Sequence, residues 1–297
     1  MENNNKKNII NHILVPVDFS DYSLNACYFA LHLSSRLGAD IKLFHAFFNP
    51  MIDAMAFPDA YTYQSNMTEI FMELEQNAEK EMKLFTKKIK RYATLKELKE
   101  VKINTEVISG QPGFEIENTI NSYHPDIIII GTKGQGKQSS DILGSVAAKV
   151  IDSSGIPVLL VTKDARINED EKIKVLYATN FDDSDYLAIQ SLITILSGFS
   201  IMINCVHFHG NTDKSNDKEK MNEMKKYFSE KYKEISLECS IIGSEDIVSG
   251  LKNFVQSNDI DLIALTHKKR NFFYRLFNPS LAKKLLFNTS KPVFVFN

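Results

Sequence analysis

The sequence predicts an α/β protein of two tandem domains, each a five-stranded, mainly parallel sheet with helices on both faces. Three observations carry that expectation. Short β-branched runs alternate with stretches of helical periodicity, the pattern of βαβ units. The segment 126–161 aligns without a gap on 261–296, over 36 positions, which indicates a duplicated domain and not a short-period solenoid. The length, 297 residues, is enough for two ordinary domains.

In the first copy, IINHILVPVD (9–18) reads as a short apolar strand over 12–17, ending at Pro16 and Asp18. The turn Phe19-Ser20-Asp21 follows, and Ser20 is placed to cap a helix over 22–37, leaving Asp18 free for a ligand. A second strand covers 41–47 and carries His45. Asn49 to Gln64 holds Pro50, Pro58 and several aromatics and reads as a loop over the sheet edge. A long helix over 66–92 presents Ile70, Leu74, Met82, Phe85 and Ile89 at helical spacing, a core stripe. Strand 102–108, helix 113–122, strand 126–130, helix 145–153 and strand 157–161 complete the unit.

The second copy begins at EKIKVLYATN (171–180), of the same shape but ending in Asn180. Its turn is Phe181-Asp182-Asp183, and its second strand, 201–208, carries His207 where the first carries His45. Asp126 meets Asp261, Ser145 meets Ser280 and Pro157 meets Pro292. The polar stretch Asn211 to Lys220 reads as a loop. The expected domains are 1–162 and 172–297, joined by a short charged linker.

Composition narrows the function. At 43% hydrophobic and 24% charged, each half can bury a full core. A net charge of −2 gives no drive toward nucleic acid or an anionic membrane. No run approaches the roughly 18 apolar residues of a membrane span. The N-terminus is polar and the apolar stretch after it reads as a strand, so no signal peptide is expected. Cys27, Cys205 and Cys239 form no C-x-x-C pair, a sparse set that suits a reducing compartment. The expected location is the cytoplasm.

The strongest motif is Gly131-x2-Gly134-x9-Gly144-Ser145. It follows the apolar run Ile127 to Ile130 and opens a helix at Ser145, so a buried strand empties into a glycine-rich loop that ends at a helix N-terminus. Glycine lets backbone N–H groups approach an anion, and the helix end adds free donors and partial positive charge. In such sheets ligands bind at the carboxyl ends of the strands, where strand order reverses. Asp18, Ala46 and the glycine loop converge there.

Rival motifs are weaker. Gly131-x4-Gly136-Lys137 resembles a phosphate-binding loop, but Gln138 stands where a magnesium-binding Ser or Thr is needed. Lys268-Lys269-Arg270 with Phe272, Phe273, Tyr274 and Arg275 mixes basic and aromatic residues; in a near-neutral chain these read as packing surface. Cys205-x-His207-x-His209 places three donors on one strand face without a fourth, so no metal site is assigned.

Val15-Pro16-Val17-Asp18-Phe19-Ser20, Phe44-His45-Ala46 and Gly131-x2-Gly134-x9-Gly144-Ser145-Val146 together resemble the ATP-binding branch of the universal stress protein family. The resemblance implies a Rossmann-like (adenine nucleotide α-hydrolase-like) fold in each copy, and ATP or AMP, with or without Mg²⁺, as ligand. It implies that Pro16, Val17 and Asp18 face adenine or ribose, and that the backbone at Ala46 contacts adenine. Gly131, Gly134, Gly144, Ser145 and the N–H of Val146 would hold ribose and phosphates, with Lys133 beside them. It further implies a stress-response regulator or scaffold with an unidentified protein partner. Last strands that pair, here Val158 to Val161 with Val293 to Phe296, are also implied, and a homodimer is compatible with it. Slow ATP hydrolysis or autophosphorylation is the alternative. Ser139, Ser140 and Ser145 supply hydroxyls, but no His/carboxylate pair is placed to activate water, and no catalytic residue is assigned. A nucleotide-free interaction scaffold is the other alternative. The second copy replaces Asp18 by Asn180, Gly131 by Thr266, Gly134 by Lys269 and Gly144 by Pro279, so it is expected not to bind nucleotide this way.

Overall fold

A computed structural model of the chain describes residues 10–48, 64–134, 143–166, 171–209, 215–244, 246–267 and 290–297. The first half contributes strands β1 (His12–Pro16), β2 (Asp40–Phe47), β3 (Ile103–Ser109), β4 (Ile127–Gly131) and β5 (Val158–Val161). Its helices are α1 (Asp21–Leu37), α2 (Gln64–Leu95), α3 (Pro112–Tyr123) and α4 (Ser145–Ser153). The second half contributes β6 (Ile173–Ala178), β7 (Ile201–His209), β8 (Ser236–Gly243), β9 (Leu262–Thr266) and β10 (Val293–Phe296). Its described helices are α5 (Asp183–Ile195), α6 (Ser215–Lys231) and α7 (Ile247–Ser257).

The ten strands form one continuous sheet in the order β3-β2-β1-β4-β5-β10-β9-β6-β7-β8. Every neighbouring pair is parallel except β5 with β10, where Val293, Phe294 and Val295 oppose Leu160, Leu159 and Val158 in antiparallel register. Each half alone would leave a short, wholly apolar strand at its edge, an open template for another chain. Their pairing covers both edges within one molecule.

Two core layers follow from strand alternation. Ile13, Val15, Ile127 and Ile129 face a layer shared with α1, α2, α5 and α6. Leu14, Ile128 and Ile130 face the other layer, shared with α3, α4 and α7. β4 is buried on both faces, which explains its unbroken isoleucine run. Asp126 and Asp261, matched in the repeat, do the same work: each carboxylate accepts the backbone N–H that opens its first strand, at His12 and Lys174, both at 2.9 Å.

Local chemistry sets the ends of α1. Ser20 Oγ accepts from Ser23 N–H at the start, and Gly38, left-handed at φ 75°, closes the helix with its N–H on the Ser34 carbonyl.

Two expectations are corrected. The stripe on α2 holds for Met82, Phe85 and Ile89, but Ile70 is exposed. A helix of 32 residues is about 48 Å long, while the adjoining strands of up to eight residues reach only about 27 Å, so its first turns overhang the sheet. The polar stretch expected as a loop over 211–220 belongs, from Ser215 onward, to α6. Met221, Met224 and Phe228 of this helix are buried, and three apolar anchors on one face outweigh a polar sequence. Residues 268–275, and positions 136–140 of the rival phosphate loop and its hydroxyls, lie outside the described residues, as do 49–63.

Candidate functional site

β2 and β4 flank β1, so the chain leaves β1 toward one side of the sheet and returns on the other. The crevice at the carboxyl ends of β1 and β4 is therefore the topological switch point of the first half. A cavity of about 510 Å³ opens there, within the range of small-molecule sites. All ten residues singled out from the sequence line it: Pro16, Val17, Asp18, Ala46, Gly131, Lys133, Gly134, Gly144, Ser145 and Val146.

One wall is apolar. Pro16, Val17, Phe44, Ala46, Pro112, Ile116 and Ile130 suit a flat, weakly polar ring. The wall is held by two short ties between β1 and β2: Val17 N–H donates to Phe44 O at 2.8 Å, and His45 Nδ1 lies 2.8 Å from Val17 O. Phe19, at φ 64°, turns its ring onto His45 with centroids 4.3 Å apart. A left-handed phenylalanine is strained by about 1–3 kcal/mol, and the tight exit from β1 requires it.

The opposite wall is built on the N-terminus of α4. Gly144 caps α4 without a side-chain hydrogen bond, and the first intrahelical bond is Ala148 N–H to Gly144 O. The N–H groups of Ser145, Val146 and Ala147 precede that bond and donate to no group among the described residues. They line the cavity together with Lys133. Uncompensated helix donors and a cation within one cleft favour negative charge.

Each glycine has a distinct reason. A Cβ on Gly131 would sit 2.8 Å from Tyr22 Cβ and 2.9 Å from the Tyr22 carbonyl carbon, so Gly131 lets α1 pack against β4. Among the described residues, a Cβ on Gly134 would meet Asp18 alone, 2.4 Å from Oδ2. At Gly144 the nearest atom would be Thr132 O at 3.6 Å, an ordinary contact. The sequence reading gave all three to phosphate approach; the structure gives Gly131 a packing role first.

Asp18 is also corrected. It was expected to be free because Ser20 caps α1. Ser20 does cap the helix, but its hydroxyl donates to Asp18 Oδ1 at 2.6 Å, and its N–H adds a second bond at 3.2 Å. Asp18 is therefore oriented by its neighbour, with Oδ2 turned toward Gly134. Sequence reasoning missed Pro112, Ile116 and Ala147. Pro112 at the first turn of α3, four residues before Ile116, was the available signal.

At the corresponding point of the second half the described residues form an internal hydrogen-bond network. Thr179, Asn180, Asp182 and Asp185 occupy the places of Val17, Asp18, Ser20 and Ser23. The Asp185 carboxylate, 1% exposed, accepts from Tyr177 Oη (2.9 Å), Thr179 Oγ1 (2.8 Å), Thr266 Oγ1 (2.9 Å) and Asn180 N–H (2.9 Å). Thr266, which stands for Gly131, thus joins an internal network at the switch point. Burial, then the Asp185 charge, raises the Tyr177 hydroxyl pKa well above its usual value, which keeps it a donor. Lys269, Pro279 and Ser280 lie outside the described residues. His207 repeats the tie of His45, with Nδ1 2.8 Å from Thr179 O. Cys205 packs in the core with its sulfur 3.3 Å from Met224 Sδ. Among the described residues, no group of three or more His, Cys, Asp or Glu is placed to hold a metal ion, and no helix is long and apolar enough to cross a membrane.

Fold and cleft together define an α/β protein with a crevice at the switch point of its first half. The chain belongs to the universal stress protein family, whose model matches residues 10–162. A universal stress protein of Methanocaldococcus jannaschii is 31% identical over 162 residues, covering 54% of this chain and 86% of that protein. The universal stress protein YxiE of Bacillus subtilis is 27% identical over 154 residues, covering 52% of this chain and 99% of that protein. Among solved structures, a universal stress protein from Archaeoglobus fulgidus superposes with a TM-score of 0.64 at 18% identity, covering 97% of this chain and 96% of that one. That likeness extends the shared fold over both halves.

Proposed function

We propose that this chain binds ATP or AMP in the cleft of its first domain, residues 1–162, and that residues 172–297 form a partner domain without such a site. In this reading the protein is a cytoplasmic, nucleotide-dependent regulator or scaffold of a stress response. The observation that carries it is the juxtaposition in one 510 Å³ cavity of an apolar wall, an oriented carboxylate and three N–H groups of α4 that donate to no group among the described residues. Adenine fits the wall at Val17 and Ala46, ribose hydroxyls fit Asp18 Oδ2, and phosphates fit Gly134, Gly144, Ser145, Val146 and Lys133. The donor set suits phosphate oxygens. Any Mg²⁺ would be held mainly by the phosphates, since Asp18 is the one carboxylate lining the cavity among the described residues. Binding is the activity proposed, and no catalytic role is assigned to a residue of the lining.

The test is to extract and quantify nucleotide from the purified protein and to titrate ATP and AMP into the stripped form. About one adenine nucleotide per chain is expected, with affinity lost in Gly134→Val. Two equivalent sites, or none, would overturn the reading. Gly131→Val is unsuitable as a binding probe because it also strikes α1.

A further inference from the structure

We propose that Cys205 and Cys239 are a redox site: a hydroperoxide closes them into a disulfide across β7 and β8, and a thiol reductant reopens it. The two residues are 34 positions apart, yet they stand directly opposite each other in the parallel register of β7 and β8. Side chains opposite each other in a sheet share a face, and both cysteines pack on the same core layer. Neighbouring strands lie about 4.8 Å apart, inside the roughly 4.4–6.8 Å that Cα atoms span in a disulfide. Parallel pairing holds Cβ atoms somewhat wider than the preferred distance of about 3.8 Å, so the bond draws the strands together. Bonds under such strain are the reducible ones.

Access and reactivity are divided between the two thiols. β8 is the outer strand of the sheet and Cys239 is half-buried, while Cys205 is fully buried. The adjacent Cys205 thiol lowers the Cys239 pKa, with the Lys225 charge assisting and burial opposing. The adjacent Cys239 sulfur, and then burial, raises Cys205. Cys239 is thus the attacking sulfur and Cys205 the resolving one. The Cys239 thiolate attacks the peroxide, the O–O bond breaks, and a sulfenic acid forms as the other oxygen leaves and is protonated to water or an alcohol. Cys205 then attacks the sulfenic sulfur; the S–S bond forms and hydroxide leaves with the Cys205 proton as water. Two thiols lose two electrons and two protons, and one peroxide accepts them.

The first half has no counterpart. Leu43 stands where Cys205 does, and its register partner on β3 is Thr105. The thiol pair therefore belongs to the second half alone, and the proposal is independent of nucleotide binding.

The experiment treats reduced, full-length protein with a few equivalents of hydrogen peroxide, followed by alkylation, intact mass measurement and a non-reducing peptide map. Expected are loss of two of the three thiols, a mass lower by two hydrogens, and one cross-linked peptide joining Cys205 to Cys239, all reversed by dithiothreitol. Cys205→Ser should leave a sulfenic acid on Cys239 that dimedone traps. Cys239→Ser, at a half-exposed position that folding tolerates, should leave both remaining thiols unreacted at the same dose. Three unreacted wild-type thiols, oxygen added to Cys239 or Met224 without a cross-link, or a cross-link through Cys27 or between chains would each overturn the proposal.

Discussion

Replacing Gly131 by alanine separates a packing glycine from a ligand glycine. The added Cβ would lie 2.8 Å from Tyr22 Cβ, 2.9 Å from the Tyr22 carbonyl carbon and 3.1 Å from Ser23 N. Two of these atoms are backbone, in the first turn of α1, and a turn fixed by the Ser20 cap cannot swing aside as a side-chain tip can. Overpacking of this kind costs about 1–3 kcal/mol. For a unit near 150 residues, each kcal/mol moves the midpoint by about 2–4 °C, so Gly131→Ala should melt roughly 2–12 °C below wild type without nucleotide. Gly134→Ala is the control. Among the described residues its Cβ would meet Asp18 alone, at the end of a side chain and not at backbone, so it should cost less stability than Gly131→Ala, below about 1 kcal/mol. Displacing that carboxylate should still weaken nucleotide binding about tenfold, or roughly 1.4 kcal/mol. Thermal unfolding of both stripped variants, with titration of the second, decides the matter. A wild-type midpoint for Gly131→Ala, or equal destabilisation by the two substitutions, would refute the reasoning.

Asp185→Ala should cost about 3–5 kcal/mol by urea denaturation, because it removes the acceptor of the buried Thr179 hydroxyl and the Asn180 N–H and leaves the Tyr177 and Thr266 hydroxyls, 2.7 Å apart, with one fewer acceptor between them; a loss below 1 kcal/mol would mean these donors find other partners. Burial pushes His32 down to about 4, against about 6.5 in an unfolded chain. The unfolded state therefore takes up the proton first on acidification: this contribution is intact above about pH 6.5 and is lost as pH falls toward 4. His32→Gln should flatten that slope by about 1–2 kcal/mol, a partial value for a site that solvent still reaches. A fragment ending at Thr162 exposes the β5 edge and should self-associate in light scattering; a monomer at high micromolar concentration would show that β5 does not need a cover.

Much of the architecture was legible because burial on both faces writes itself plainly into the chain. Ile127 to Ile130 announced a central strand, and the ungapped repeat announced a second sheet unit. The cleft residues could be grouped because the switch-point rule needs only strand order. What escaped depended on distances between remote residues. The Asp18–Ser20 bond and the clash of Gly131 with Tyr22 are facts about backbone approach, to which spacing is blind. The overhang of Ile70 depends on how α2 is longer than the strands it crosses. The polar composition of 215–220 concealed a helix whose burial is decided further along, at Met221, Met224 and Phe228. The thiol pair needed register, since a shift of β8 by one residue would have turned Cys239 to the other face.

The single antiparallel joint between β5 and β10 turns the two halves end for end. The strand tips that carry the first cleft and those that carry the second half's loops thus point to opposite poles of one sheet. α4 reaches toward both. Its N-terminus lines the cleft, and about 10 Å further on, in its last turn, Asp152 Oδ1 meets His267 Nε2 at 3.1 Å, just beyond β9. A push on the first turn of that helix is therefore delivered, by a short stiff rod, at the far pole of its neighbour.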